Sequence, residues 1–295
     1  METHINPQLK YWLLAIRPKT LSISIAPVLT GTTLAWAEHH SLMWLPALAA
    51  LCAALLIQIA TNLHNDAADY ELGTDTPDRL GPERATSQGW LSVEKVKRAA
   101  YGCFALAFFI GIYLATLGGW PIVAIGLLSL MAGYSYTGGP RPIAYSSSGE
   151  VFVFIFFGLA AVMGSYYIQA LSLSLNLLLS AFSIGFLAAA VLLVNNYRDL
   201  DTDTRAGKLT LVNHLGRCGS QRLYMLLLIT PFALPVALQG VSNGRWLVLA
   251  ALPLALWLLL SFIRKQTGPH FNQLLAATAQ LQLIFSLLLS IGLTL

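Results

Sequence analysis

The sequence predicts an all-α polytopic membrane protein of about nine transmembrane helices, and three observations predict it. Of 295 residues, 56% are hydrophobic and only 10% charged, with a mean hydropathy of +0.67. The apolar residues gather into runs long enough to cross a hydrocarbon core. The basic residues, counted between those runs, fall almost wholly on one side. Strands are excluded by physics as well as by pattern, because a long apolar run in lipid must satisfy its own backbone hydrogen bonds.

In chain order the runs are 20–38, 43–63, 99–118, 120–137, 150–170, 174–195, 222–240, 244–263 and 272–294. The first contains Pro27 and ends at "LAWAEHH", whose A-x-A-like site at Ala35 and Ala37 resembles signal-peptide cleavage. Removal would leave eight spans with the wrong charge parity, so 20–38 reads as the first helix. The second run closes on the acidic stretch 62–84. "SVEKVKRAA" at 92–100 reads as an amphipathic helix start on the cytoplasmic surface, leading into 99–118. The fourth run ends at "TGGPRP", a turn. The fifth opens with Glu150, where a negative charge suits a helix N-terminus or serves a substrate site. The sixth ends at "NNYRDLDTD". No stretch is left for a soluble domain, so residues 1–295 read as one transmembrane unit.

With a cytoplasmic N-terminus, sixteen of the seventeen Lys and Arg residues lie in inside segments and only Arg245 lies outside. That is a strong positive-inside bias, and it supports an odd number of passes. The net charge of +4 therefore needs no nucleic acid to explain it. Cys52, Cys103 and Cys218 imply neither a disulfide framework nor a metal site.

Nine of the thirteen acids belong to 62–83 and 199–203. Asn62, Asn65, Asp66 and Asp69 are spaced by three and four, which puts them on one face at a helix end. Asn195, Asp199 and Asp203 recur every fourth residue at the end of the sixth run, four passes on, hence on the same side of the membrane. Two facing carboxylate clusters repel each other unless divalent cations fill the space between. Oxygen-only ligands favour Mg²⁺, which bridges carboxylates to substrate phosphates. Arg79, Arg84, Arg198, Arg205 and Lys208 interleave with the acids and suit phosphate oxygens. The combination reads as a diphosphate site at the rim of an apolar bundle, for a substrate with a hydrocarbon tail.

These residues also resemble the UbiA superfamily of membrane prenyltransferases, and within it the branch acting on 1,4-dihydroxy-2-naphthoate. "RPKTL" at 17–21 is similar to the N-terminal signature, and "NDAADYELGTDTPDRLGP" at 65–82 to the first aspartate motif in that branch's form. "YTGGPRPIAY" at 136–145, "GEVFVFIFFG" at 149–158 and "GSYYIQ" at 164–169 resemble the central segment. "NNYRDLDTDTRAGKLTLVNHLG" at 195–216 resembles the second aspartate motif. Gly73 stands where the generic pattern has its last aspartate, and the acid comes at Asp75 instead. Ala67, "SSSGE" at 146–150 and His214 depart from the pattern.

The resemblance implies a UbiA-like bundle in the bacterial inner membrane, with N-terminus and active site cytoplasmic. It implies two Mg²⁺ held by Asn65, Asp66, Asp69 and Asp75 on one side and Asp199 and Asp203 on the other. Asp66, Asp69, Asp199 and Asp203 are the expected catalytic residues; Arg79, Arg84, Arg198 and Lys208 the expected diphosphate contacts. Asn62, Asn196, Tyr136 and Arg141 complete the expected substrate-binding set, Arg141 for an acidic aromatic acceptor. The implied reaction moves a long prenyl chain from its diphosphate to dihydroxynaphthoate with loss of CO₂, giving demethylmenaquinone for menaquinone synthesis. Another acceptor, such as 4-hydroxybenzoate or homogentisate, is the enzymatic alternative. An ion-coupled transporter is the non-enzymatic one, and it would need ionisable residues near the bilayer midplane.

His64 reads as a bystander, and Arg17 and Lys19 as positive-inside anchors before substrate contacts. Tyr134, Tyr136, Tyr145, Tyr166 and Tyr167 read partly as interfacial anchors, with one or two lining an aromatic pocket.

Overall fold

The computed structural model describes residues 6–73, 80–264 and 268–295, and every regular element among them is helical. Helix α1 (Pro7–Ile16) starts where the Asn6 side chain accepts from the Gln8 amide at 3.0 Å and Pro7 presets the first turn. It stops at Arg17, whose left-handed φ of 58° turns the chain into α2 (Pro18–His39). There follow α3 (Trp44–Glu71), α4 (Val93–Ser135), α5 (Gly149–Ala170), α6 (Leu175–Arg198), the short α7 (Leu200–Arg205), α8 (Leu211–Ala237), α9 (Asn243–Arg264) and α10 (Phe271–Thr294). Eight of these described helices are long and apolar enough to cross a membrane.

The division into nine runs departs from these eight helices at α4. Its 43 residues would reach ~65 Å if straight, about twice a hydrocarbon core. The helix breaks instead at Gly119 (φ 64°, ψ −155°), a conformation open to glycine and few others. The chain doubles back there: a Cβ on Gly133, past the break, would lie 3.1 Å from Phe104, before it. The two runs 99–118 and 120–137 are thus the arms of one helical hairpin. The segment 92–100 is no separate surface helix. It forms the first turns of α4, burying Val96 and Ala100 against α1 and α3 while Glu94 and Lys95 stay exposed.

Helix α3 runs two turns past its apolar run, so the first acidic motif is helical as far as Glu71. Helix α6 is the centre of the bundle, with 72% of its apolar window buried. Its contact with α5 is backbone to backbone: a Cβ on Gly158 would sit 2.5 Å from the Gly185 Cα. Such small-residue contacts pack helices closely where lipid supplies no hydrophobic drive between them. The approach falls within a π-helical stretch, Phe154–Ala160. Polar bonds tie other helices together, Thr30 to Ser286 at 2.8 Å and Tyr224 to Thr278 at 2.8 Å. At the acidic end, Tyr197, Phe262, Phe271 and Tyr224 form an aromatic knot with ring centroids 4.2 to 5.6 Å apart. Because Tyr197 points into this knot, its neighbours Asn196 and Arg198 are held at fixed positions.

Candidate active site

A cavity of about 670 Å³ opens between the ends of α3 and α6 and runs into the bundle. Its inner walls are apolar and mix small residues such as Ala53, Ala107, Gly111 and Gly126 with large ones such as Phe108, Ile125 and Phe156. Its polar mouth is lined by Arg17, Asn62, Asn65, Asp69, Arg84, Tyr136, Thr137, Asn195, Asn196, Asp199, Thr202, Asp203 and Lys208.

On α3, Asn62, Asn65 and Asp69 share the cavity face. The Thr137 hydroxyl donates to Asn65 Oδ1, Arg84 pairs with Asp69 Oδ2, and the Tyr145 hydroxyl donates to Asp69 Oδ1 at 3.1 Å. Asp66 is one residue round the helix and faces elsewhere. Its carboxylate accepts from the amides of Ala85 and Thr86, both at 3.0 Å, and from the Thr86 hydroxyl at 2.5 Å. It thereby clamps the loop that presents Arg84.

At the second motif Arg198 donates through Nε and Nη2 to both oxygens of Asp199, at 2.8 and 2.6 Å. Lys208 lies 3.6 Å from Asp203 and 5.1 Å above the Tyr145 ring. Tyr145 therefore touches both motifs. Asn196 donates to Glu150 Oε1 at 2.9 Å; the other oxygen, Oε2, is buried without a hydrogen bond.

Nine of the expected residues come together on the cavity: Asn62, Asn65, Asp69, Arg84, Tyr136, Asn196, Asp199, Asp203 and Lys208. Asp66 and Arg198 are buried behind them, spent on the loop and on Asp199, and Arg141 is exposed on the turn after Thr137. Asp75 and Arg79 lie outside the described residues. Sequence reasoning missed Thr86, Thr137, Tyr145 as an Asp69 partner, and Asn272, which has no motif around it. His64, with neither ring nitrogen hydrogen-bonded, stacks on Tyr134 at 4.9 Å and does not line the cavity.

The donor set fits Mg²⁺ by its chemistry. It is all oxygen, and it is divided between α3 on one side and the α6–α7 corner on the other. Among the described residues no three His, Cys, Asp or Glu side chains form a ready-made cage. Mg²⁺ characteristically takes one or two carboxylates and completes its shell with water and substrate phosphate. Tyr136 lies one residue beyond α4. Desolvation first, then the Glu150 and Asp69 carboxylates, raise its phenol well above the ordinary value, so it stays a neutral donor at physiological pH.

A model of the UbiA prenyltransferase family matches residues 24–284. The 1,4-dihydroxy-2-naphthoate octaprenyltransferase of Escherichia coli (strain K12) is 37% identical, over 95% of this chain and 94% of the relative. That of Mycobacterium leprae (strain TN) is 35% identical, over 96% of each. Among solved structures, a UbiA homolog from Archaeoglobus fulgidus bound to DMAPP and Mg²⁺ superposes with a TM-score of 0.65 at 14% identity, covering 95% of this chain and 99% of that one. The apo structure of a UbiA homolog from Aeropyrum pernix K1 gives 0.70 at 15% identity, covering 94% and 98%.

Proposed function

This chain belongs to the UbiA prenyltransferase family, and from that premise we propose that it transfers a long-chain prenyl group from prenyl diphosphate to 1,4-dihydroxy-2-naphthoate. CO₂ and diphosphate leave, and the product is demethylmenaquinone in its quinol form, a step of menaquinone synthesis. The observation that carries the reading is that relatives named for this activity are 32–39% identical to the chain over 83–98% of its length. The cavity supports it: carboxylates and cations crowd one end of an otherwise largely apolar cavity. We place that end, and the N-terminus, on the cytoplasmic side of a bacterial inner membrane, with residues 1–295 as one prenyltransferase domain.

Arg84, Lys208 and Arg17 line the mouth, where their charges grip diphosphate oxygens and stabilise the charge that grows as the allylic C–O bond breaks. Bound Mg²⁺, which Asn65, Asp69, Asp199 and Asp203 would hold, supplies electrostatic stabilisation of the departing diphosphate. The apolar walls keep water from the allylic cation. The acceptor's ring carbon that bears the carboxylate takes the prenyl C1. Electrons of the breaking bond to CO₂ then restore the aromatic ring, so no ring proton is removed there. Tyr136, a neutral phenol at the mouth, is placed to donate to an acceptor oxygen. Asp66 and Arg198 act by positioning: one holds the Arg84 loop, the other orients Asp199.

The test is purified protein in liposomes given dihydroxynaphthoate, 4-hydroxybenzoate, a long-chain prenyl diphosphate and Mg²⁺ together, with products separated by mass. Decarboxylated prenyl-naphthoquinol should dominate. Preferential prenylation of 4-hydroxybenzoate with its carboxylate retained would overturn the acceptor.

A further inference from the structure

Besides Tyr145, a second side chain outside both aspartate motifs touches both. Asn272 is the second residue of α10, half-buried, and its amide is used at each end. Its Oδ1 accepts from Arg198 Nη1 at 2.8 Å, and its Nδ2 donates to the Leu80 carbonyl at 2.8 Å. We propose that Asn272 is a positioning residue that locks the two aspartate motifs into one site; this rests on the prenyl-transfer reading above, which gives those motifs their work.

On the second-motif side, the buried Arg198 guanidinium is fixed by three anchors: Asp199, Asn195 at 3.0 Å, and Asn272. Remove Asn272 and Nη1 loses its hydrogen-bond partner, so the plane that orients Asp199 is free to swing. On the first-motif side, Leu80 lies four residues before Arg84. The loop is pinned at Leu80 by Asn272 and at Ala85 and Thr86 by Asp66, and Arg84 is presented to Asp69 between those pins. Asn272 is itself fixed, because its neighbour Phe271 is fully buried in the aromatic knot beside Tyr197. A primary amide is what both contacts demand. Aspartate could accept from Arg198 but could not donate to Leu80, and alanine could do neither.

The experiment uses the full chain in nanodiscs: wild type, Asn272→Ala, Asn272→Asp, and Gln273→Ala, an exposed neighbour on the same turn. Hydrogen–deuterium exchange across 80–86 should quicken roughly ten-fold or more in both Asn272 variants, with the bundle helices and Gln273→Ala unchanged. In the prenyl-transfer assay, kcat/KM for prenyl diphosphate should fall roughly ten- to a hundred-fold in Asn272→Ala, with KM for the aromatic acceptor unmoved. Combining Asn272→Ala with Arg198→Lys should cost less than the product of the single losses. Unchanged exchange at 80–86, or exchange quickened throughout α6 and α10, overturns the proposal, as does activity equal to wild type in both variants. If wild type prenylates no acceptor, the functional reading fails instead, while the exchange result still decides whether Asn272 holds the loop.

Discussion

Asp66 and Asp203 make a contrast that a motif does not announce. Asp66 accepts three hydrogen bonds from Ala85 and Thr86 in a buried setting. Asp66→Ala should leave two buried amides unsatisfied and cost about 2–4 kcal/mol, read as a lowered melting temperature together with lost turnover. Asp203 meets the cavity and pairs loosely with Lys208 at 3.6 Å. Asparagine at that position keeps the shape and an oxygen acceptor, so the exchange removes charge rather than packing. Asp203→Asn should therefore keep the wild-type melting temperature and still lose nearly all activity; equal melting losses in both variants would erase the distinction. Lys208→Ala tests the grip on diphosphate. It removes one charge-assisted contact, about 1.5–3 kcal/mol, so KM for prenyl diphosphate should rise roughly ten- to a hundred-fold while acceptor KM holds. At this scale helical spacing singled out Asn62, Asn65, Asp69, Asp199 and Asp203, and all five line one cavity. The sequence could not separate Asp66 from Asp69, since one helical step decides which faces the cavity and which the loop.

Among the elements, the apolar runs anticipated most helix bounds to within a few residues, because lipid forces each run to bond within itself, but α8 starts at Leu211 rather than at 222. The ends were less readable. Helix α3 keeps going through polar residues because the loop at 84–86 and Tyr145 satisfy them, partners distant in sequence. The 92–100 stretch joins α4 because its apolar face is covered by α1 and α3 rather than by a membrane surface. Gly119 is the hinge of the hairpin. Gly119→Ala should cost about 1–3 kcal/mol, since φ of 64° with ψ of −155° suits no side chain. Gly102→Ala, helical and with nothing within 4 Å of its added methyl, should be neutral or slightly stabilising. A thermal melt of the two variants side by side checks this, and equal melting points would remove the hinge argument.

For the molecule as a whole, orientation and metal use are open to measurement. Cys218 is exposed and follows Arg217, which pairs with Asp201 at 3.1 Å, so it lies at the motif end of the bundle. In a variant keeping only Cys218, an impermeant thiol reagent should label inside-out vesicles and spare intact spheroplasts. The reverse pattern would invert the proposed topology. EDTA should silence turnover and Mg²⁺ restore it, and full activity in chelator would remove the metal from the reaction. A transporter would keep its ionisable groups at mid-bilayer. Here Asp69, Asp199 and Asp203 gather at one end of the cavity.

The sequence by itself determined the class, the order of the membrane-length runs and the two acidic clusters, because these follow from local hydropathy and from residue spacing. The tertiary structure alone decided which polar side chains face the cavity and which are consumed in holding others. Asp66 with Thr86, Arg198 with Asp199, and Asn272 between Arg198 and Leu80 are such cases. Each depends on a contact between groups brought close by packing of the bundle. A buried charge or amide takes whichever partner that packing supplies, and 192 residues separate Leu80 from Asn272. No local pattern records such a pairing.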